Sequence, residues 1–221
     1  MRSRACGCPR AAVRASGRCR GGSPPSAGAS NSSDAHGDIA HLLTYEKPHR
    51  DVAIVVSGIV ATSAIVSAVF DEEGPRAPLA YLASTPPTRA DECVRTFAAA
   101  GLGSDGARPS RIERLATDVS TAVKCRRGVT SVNDDAATVL GHDERVCQDH
   151  AHVRSACCSA AGIPARYVSG YFYTGDVATH AWADAWLGAS DGWLSIDLTH
   201  NALAGERHCR LAVAVATSAQ P

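Results

Sequence analysis

The sequence predicts an α+β fold in which a cysteine-bearing helix packs on an antiparallel sheet. The first observation is the segment 145–164, RVCQDHAHVRSACCSAAGIP, which has the pattern of a single helix. Gly162 suits the left-handed residue that follows a helix, and Pro164 cannot continue one. The second observation is a pair of segments with alternating apolar residues, THAWADAWLG and DGWLSIDLTHN, which indicates two strands.

The predicted helix carries Cys147 in its first turn. A thiol there lies among unpaired backbone N–H groups and at the positive end of the helix dipole, and both favour the reactive thiolate. Apolar and small residues recur at three- and four-residue steps, so one face of the helix is expected to lie inward. The inward residues are Val146, His150, Val153, Cys157 and Ala160 or Ala161. A buried structural cysteine is the alternative interpretation of Cys147.

The predicted helix and the two predicted strands together carry three chemical groups in a suggestive order. In the first strand, His180, Trp182, Asp184 and Trp186 alternate with Ala181, Ala183, Ala185 and Leu187. The short turn at 188–192 predicts that the strands are antiparallel neighbours, which can bring His180 close to Asp197. A thiol, an imidazole and a carboxylate in this chain order are typical of a nucleophile, a base and the group that orients the base.

Four sequence blocks together carry a family resemblance: VCQDHAHV, AGIPARYVSGY, THAWADAW and the strand that ends at Asp197. In this order and at these distances they resemble the transglutaminase-like superfamily, in its bacterial branch, over residues 111–201. The resemblance implies a papain-like core with Cys147 as the nucleophile, His180 as the base and Asp197 as the orienting group.

The chain departs from the family pattern at two positions. Arg145 stands where members usually have a small residue, and Leu198 stands where they usually have proline. Neither departure removes a reacting atom, although Arg145 is expected to narrow access to the thiol.

The resemblance implies a thiol enzyme that cleaves or transfers the acyl group of a carboxamide or peptide bond through a thioester. The backbone N–H of Cys147 is the expected oxyanion donor, and Gln148 is a candidate for the second donor. Two alternatives remain open. The chain could be a catalytically inactive or truncated member that serves as an interaction scaffold, or a binding module whose basic N-terminal tail contacts nucleic acid.

No cofactor and no metal are expected. Cys147, His150 and His152 are spaced like metal ligands, but on a helix only positions three or four apart share a face, so the three side chains do not converge. A peptide or protein is the expected partner. The 22 basic and 22 acidic residues give no net charge, which offers no reason to expect nucleic acid or a membrane as partner.

The nine cysteines are an odd number, so at least one stays unpaired within the chain. Free thiols are typical of a reducing compartment, and the predicted location is therefore the cytoplasm.

Residues 1–33 have a composition of their own, rich in arginine, glycine, serine and proline, with six arginines and no acid. Such a segment cannot bury a core, so it is predicted to be disordered. It could be a targeting segment, a nucleic-acid tail, or the product of a misplaced start or an altered reading frame, and we favour the last. Residues 34–75 are interpreted as a β-strand remnant of an N-terminal β domain, and residues 76–221 as the catalytic core. After Asn201 the chain is expected to be truncated or altered.

The region 52–70 has nineteen residues without a charge, long enough for a membrane helix. Its β-branched residues and Gly58 favour two strands with a bend near Thr62. A strand ending in a turn at Pro48 precedes it, and a proline-rich linker at 71–88 follows it.

The region 88–140 is expected to form three helices. The first begins after a cap at Thr88 or Asp91 and ends at Gly101, and the third runs from Asp134 or Asp135 to Leu140. The second has a capping box formed by Ser110 and Glu113, runs to about Arg127, and buries Ile112, Leu115, Val119 and Val123.

Overall fold

The computed structural model of the protein describes residues 14–19, 29–43, 52–57, 60, 69–70, 76–103, 107–122 and 147–215. The helices are α1 (Glu92–Leu102), α2 (Pro109–Ala122) and α3 (Cys147–Ala160), with short 3₁₀ helices at Pro78–Leu82 and Pro86–Thr88. The strands are β1 (Arg14–Cys19), β2 (Ala29–Ser33), β3 (Ile39–Leu43), β4 (Val52–Ser57), β5 (Val69–Phe70), β6 (Ala165–Tyr173), β7 (Val177–Gly188), β8 (Gly192–Asp197), β9 (Ala202–Leu203) and β10 (His208–Ala214).

An antiparallel sheet with the strand order β10-β6-β7-β8-β5 forms the centre of the described structure, and β9 pairs with β8 at one end. Helix α3 packs on the face of β6 and β7 that carries Ala181 and Ala183. The predicted α+β fold, with the cysteine-bearing helix on an antiparallel sheet, is therefore confirmed, as is the pairing of the two predicted strands through the turn at 188–192.

Helix α3 begins at Cys147, and Gly162 follows it with a φ of +73°, as predicted. The expectation of a single inward face is wrong, because every residue from Asp149 to Cys158 is buried. The sheet lies on one side of α3, and helices α1 and α2 lie on the other. Ala160 and Ala161 are exposed, and Val146 lies outside the described residues.

Arg154 is a buried polar residue of α3 that has backbone partners on the sheet. The guanidinium of Arg154 has no exposed surface, and its Nη1 donates to the carbonyl oxygens of Ala183 at 2.5 Å and Ile196 at 3.1 Å. A charged side chain thus reaches from the helix to β7 and β8. An arginine on a helix is usually expected to face solvent. Arg154 can lie in the interior because its guanidinium donates hydrogen bonds to carbonyl groups of the strands.

Two of the predicted helix caps belong to α1 and α2. The carboxylate of Asp91 accepts from the N–H of Val94 at 2.9 Å, which confirms it as the cap of α1. The cap predicted at Ser110 is wrong. Helix α2 begins one residue earlier, at Pro109, because proline is preorganised for the first helical position, and the carbonyl of Arg108 accepts the first helical hydrogen bonds.

The inward residues predicted for α2 are buried as far as the description reaches: Ile112, Leu115 and Val119 have no exposed surface. Val123, the end of this helix near Arg127, and the third helix at 134–140 lie outside the described residues. The turn at Pro48 and the bend near Thr62 lie outside them as well.

The N-terminal region contains strands where disorder was predicted. Strand β1 pairs with β4 and strand β2 pairs with β3, so the prediction for residues 1–33 is wrong at 14–19 and 29–33. Backbone pairing with a neighbouring strand requires no apolar side chains, which is why composition alone did not show it. Of the two strands predicted in the uncharged run, the first is found as β4, and the described part of the second is the two-residue strand β5 at the end of the run. Among the described residues, no helix is long and apolar enough to cross a membrane.

The turn between β2 and β3 contacts the sheet face opposite α3. Asp38 Oδ2 accepts from the N–H of Val213 at 2.9 Å, and His36 Nδ1 lies 3.0 Å from the hydroxyl of Tyr81. The ring of Tyr81 meets Trp193 edge to face at 5.5 Å. Strand β5, also from the segment 34–75, pairs with β8. The division of the chain into domains stays a prediction.

Gly170 of β6 lies directly opposite His180 of β7. A Cβ atom at this position would lie 2.1 Å from the carbonyl oxygen of Cys209 and 2.9 Å from the ring of Trp182. Strand β10 therefore approaches β6 more closely than a residue with a side chain would allow.

Candidate active site

The strand alternation of β7 divides its side chains between the two sheet faces. Ala181 and Ala183 pack against α3, while Trp182 lies with Val168 and Val213 in a cluster on the other face. Strand β8 follows the same alternation, so its Asp197 lies on the face shared with His180. The antiparallel pairing of β7 and β8 brings these two side chains together.

His180 and Asp197 form a short hydrogen bond. His180 Nε2 donates to Asp197 Oδ2 at 2.7 Å, and the two residues are 9% and 0% exposed. The proximity predicted from the strand pattern is therefore present. Because Nε2 is engaged by the carboxylate, the other ring nitrogen, Nδ1, is left for a group on the opposite side of the ring.

Cys147 is that group. It is the first residue of α3, is partly buried, and packs against Ala151, Tyr167, Ala181 and Ala183. Burial alone would lower the pKa of His180, but hydrogen bonds with Asp197 and with Cys147, together with their charges, raise it to about 9. An imidazole with this pKa holds its proton at neutral pH.

Asp197 is ionised in this environment. Burial works to raise its pKa, but hydrogen bonds from His180, His208 and His200 outweigh it, and the pKa lies below its usual range. Its Oδ1 also accepts from the backbone N–H of Thr199 at 3.0 Å. A carboxylate held by several donors can only accept, so it fixes the proton of His180 on Nε2.

His200 and His208 were not among the predicted site residues. His200 Nδ1 lies 2.6 Å from Asp197 Oδ2, and His208 Nε2 lies 2.9 Å from the same oxygen. His200 stands three residues after Asp197, so the pattern D-x-x-H in a turn was a readable signal. His208 comes from β10, which pairs with β6, and no local pattern connects it to Asp197.

The helix also contacts the loop beside Asp197. His150 Nδ1 lies 3.2 Å from Thr199 Oγ1, while the ring of His152 meets Tyr167 at 5.3 Å between centroids. Burial lowers the pKa of His152 to about 4, so it is neutral. The two helix histidines thus turn to different neighbours and do not converge with Cys147 on a metal site.

Three of the described residues, His180, Asp197 and His200, have ligand atoms within 4.8 Å of one another and could by proximity hold a metal ion. However, the N···O separations of 2.7 and 2.6 Å are those of hydrogen-bonded imidazole–carboxylate pairs. Zinc ligands lie about 2.0–2.2 Å from the ion and must stand further apart than this. Hydrogen bonds from the two imidazoles to the carboxylate of Asp197 account for these short separations.

A second buried aspartate lies further along β7. Asp184 Oδ2 accepts from Arg166 Nε at 2.9 Å and from Arg210 Nη2 at 2.8 Å. Burial works to raise the pKa of Asp184, but the charges of Arg210 and Arg166 lower it. The guanidinium of Arg166 also lies 4.2 Å from the centre of the Trp193 ring. This cluster contains no group that titrates near neutral pH, and we interpret it as structural.

Comparisons with known proteins agree with the fold and with the sequence blocks. Residues 95–198 match the family model described as the transglutaminase-like superfamily, and this range includes Cys147, His180 and Asp197. The uncharacterized proteins Rv2569c of Mycobacterium tuberculosis and Mb2599c of Mycobacterium bovis are each 30% identical over 212 residues, which cover 84% of this chain and 68% of theirs.

Among solved structures, a candidate cysteine protease from Cytophaga hutchinsonii aligns with a TM-score of 0.69. The alignment covers 97% of this chain and 73% of that one at 18% identity, so it shows a shared fold. The family model and the sequence blocks lead to one conclusion: the chain belongs to the transglutaminase-like superfamily.

Proposed function

We propose that the protein is a thiol enzyme that cleaves or transfers the acyl group of a carboxamide or peptide bond. In this proposal Cys147 is the nucleophile, His180 the base and Asp197 the group that orients the base. The observation that carries it is the 2.7 Å hydrogen bond between His180 and Asp197, with the Cys147 thiol among the hydrogen-bond partners of the same imidazole. A peptide or protein is the proposed substrate, and the cytoplasm remains the predicted location.

In this mechanism the thiol proton already lies on His180 at neutral pH, and the reaction would begin from an imidazolium–thiolate pair. Asp197 holds the imidazole by Nε2 and stabilises the imidazolium that forms. The sulfur of Cys147 attacks the carbonyl carbon, and the negative charge moves to the carbonyl oxygen. The backbone N–H at the start of α3 is the proposed donor to that oxygen, because the first N–H groups of a helix have no helical partner.

Collapse of this intermediate breaks the carbon–nitrogen bond. His180 returns its proton to the leaving nitrogen, ammonia or an amine departs, and a thioester at Cys147 remains. Water or a second amine then attacks the thioester with His180 as the base. Both acceptors use the same intermediate, so the site geometry is compatible with hydrolysis and with transamidation.

The first test is the rate of alkylation by iodoacetamide at each cysteine, measured by peptide mass spectrometry between pH 5 and 9. We expect Cys147 to react on the order of a hundredfold faster than an ordinary thiol at pH 6. Cys93 of α1 is exposed and serves as the internal control. Equal rates at Cys147 and Cys93 would contradict the proposal and favour the inactive scaffold.

The second test is the release of ammonia from glutamine-containing peptides, with and without an added primary amine. Cys147→Ala should abolish release and leave no acyl-enzyme, because no other group supplies the thioester. Incorporation of the amine would assign transamidation, and its absence alongside ammonia release would assign hydrolysis. A Cys147→Ala variant that releases ammonia at the original rate would disprove the role of this thiol.

A further inference from the structure

Asp197 has more partners than the orientation of one imidazole requires. Its Oδ2 accepts from His180 Nε2 at 2.7 Å, from His200 Nδ1 at 2.6 Å and from His208 Nε2 at 2.9 Å. Its Oδ1 accepts from the backbone N–H groups of Thr199 at 3.0 Å and His200 at 3.3 Å. The single oxygen that would orient the base is therefore shared by three imidazole rings.

The tautomer of His208 follows from its other nitrogen. The backbone N–H of Gly205 donates to His208 Nδ1 at 3.0 Å, so Nδ1 carries no proton. A neutral imidazole with an unprotonated Nδ1 carries its proton on Nε2, and that proton points to Asp197 Oδ2. His208 is 4% exposed, and its two ring nitrogens both have partners. It is therefore a donor to Asp197 with one fixed direction.

His200 differs from His208 in its surroundings. Its side chain is 38% exposed, and its ring stacks on Phe172 at 4.1 Å. Because water reaches this ring, its bond to Asp197 can exchange with solvent, whereas the bond from His208 is shielded. Of the two additional histidines, His208 is the one whose position is fixed by the protein.

We propose that His208 is a positioning residue that holds Asp197 Oδ2 in place for His180. This inference rests on the proposed function, and it adds a residue that lies beyond the family match at 95–198. With His208 in place, the carboxylate is held from the β10 side and presents Oδ2 to His180. Without it, the carboxylate is free to turn toward His200 on the solvent side, and the imidazolium of His180 loses part of its ion pair.

Two substitutions separate positioning from support of the fold. In His208→Gln, the side-chain amide reaches the place of Nε2 and can donate to Asp197, but the acceptor for Gly205 is lost. In His208→Asn, the shorter amide offers an oxygen near the place of Nδ1 for Gly205 but does not reach Asp197. The two variants therefore each keep one of the two hydrogen bonds.

The measurement is the second-order rate of Cys147 alkylation by iodoacetamide across pH 5–9, with the melting temperature recorded for each full-length variant. We expect His208→Asn to slow alkylation at pH 6 on the order of tenfold, which is the effect of losing one hydrogen bond to a charged group. The onset of Cys147 reactivity should move to higher pH. When Asp197 stabilises the imidazolium of His180 less, that imidazolium in turn stabilises the Cys147 thiolate less. His208→Gln should stay within about threefold of the original rate.

The opposite pattern would overturn the inference. If His208→Asn keeps the original rate and onset, or if both variants are slowed equally in step with lower melting temperatures, His208 only supports the fold. An onset that moves to lower pH would also contradict positioning. Failure of the proposed function is distinguishable, because the unmodified protein would then show no faster reaction at Cys147 than at Cys93.

Discussion

Two buried aspartates lie on the same face of the central sheet, and their neighbours are of different kinds. Asp184 on β7 is bound by the guanidiniums of Arg166 and Arg210, and Asp197 on β8 is bound by three imidazoles. Both aspartates have no exposed surface, and the environment lowers the pKa of both. Burial and ionisation alone therefore do not distinguish a structural carboxylate from one that takes part in chemistry.

The difference lies in whether the partners can change charge. Arginine stays protonated at every physiological pH, so the cluster at Asp184 has one charge state. Imidazole gains or loses a proton near neutral pH, so the cluster at Asp197 can accept a proton from a neighbouring thiol and release it again. If the proposed function is right, the partners of an aspartate indicate its role in this molecule better than its burial does.

The largest effect should separate the two aspartates by thiol reactivity. Asp197→Asn should reduce the rate of Cys147 alkylation at pH 6 by about a hundredfold, because an ordinary thiol at that pH is only about one part in 300 ionised. Asp184→Asn, the matched control, should stay within about twofold in the folded protein. Equal losses of alkylation rate in both variants would mean that Asp197 has no greater role than Asp184 in the reactivity of Cys147.

The second effect concerns stability and should have the reverse order. Asp184→Asn removes the carboxylate charge shared by Arg166 and Arg210, which stay cationic in the interior, so we expect a loss of about 3–5 kcal/mol in the free energy of unfolding. Asp197→Asn should cost less, because the imidazoles can become neutral. Urea unfolding monitored by tryptophan fluorescence measures both. A greater loss in Asp197→Asn would contradict the division into a structural and a chemical cluster.

The third effect is a dependence of stability on pH. Folding raises the pKa of His180 from 6.5 to about 9. Its stabilising contribution is therefore complete below about pH 6.5 and is lost as the pH rises through 9. In a Cys147→Ala variant no thiolate offsets this contribution, and we expect the free energy of unfolding to fall between pH 6 and 9. The fall should be less than roughly 3 kcal/mol, because the part of the shift that comes from Cys147 is absent.

His180→Gln in the same Cys147→Ala background provides the control for this pH dependence, because the remaining titratable groups are common to both proteins. The arginine cluster keeps its charge throughout this range and should add no slope. If the single and the double variant lose stability equally between pH 6 and 9, the shift assigned to His180 is wrong.

The smallest effect should come from Arg166→Lys. Lysine keeps the positive charge near Asp184 but loses the flat guanidinium that lies over Trp193, so we expect a loss of about 1–2 kcal/mol in the free energy of unfolding. Alkylation of Cys147 should be unchanged. A change in alkylation of more than about threefold would mean that the two clusters are coupled.

The sequence predicted the parts of the site that local patterns determine. Alternation and a short turn set the pairing of β7 with β8, and this pairing brings His180 to Asp197. His208 could not be found in this way, because the pairing of β10 with β6 joins segments far apart in the chain. Strand β1 was missed for the same reason, because its partner β4 lies far along the chain, whereas β2 pairs with the nearby β3 and was missed because its composition indicated disorder.

Helix α3 shows a different limit. Its polar residues predicted an exposed face, yet Asp149, Arg154 and Ser155 are buried. Packing between the sheet and two helices overrides the hydrophobic pattern when buried polar groups find backbone partners, as Arg154 does. No sequence pattern distinguishes such a guanidinium from one in solvent.

The close approach of β10 at Gly170 has a consequence for how this site can vary. Even alanine there would force its methyl group into the Cys209 carbonyl and would press on Trp182. The strand that delivers His208 would have to retreat, and His208 would move away from Asp197. A saturation library at residue 170 should therefore return glycine alone among variants that keep a reactive thiol, although the position bears no chemical group.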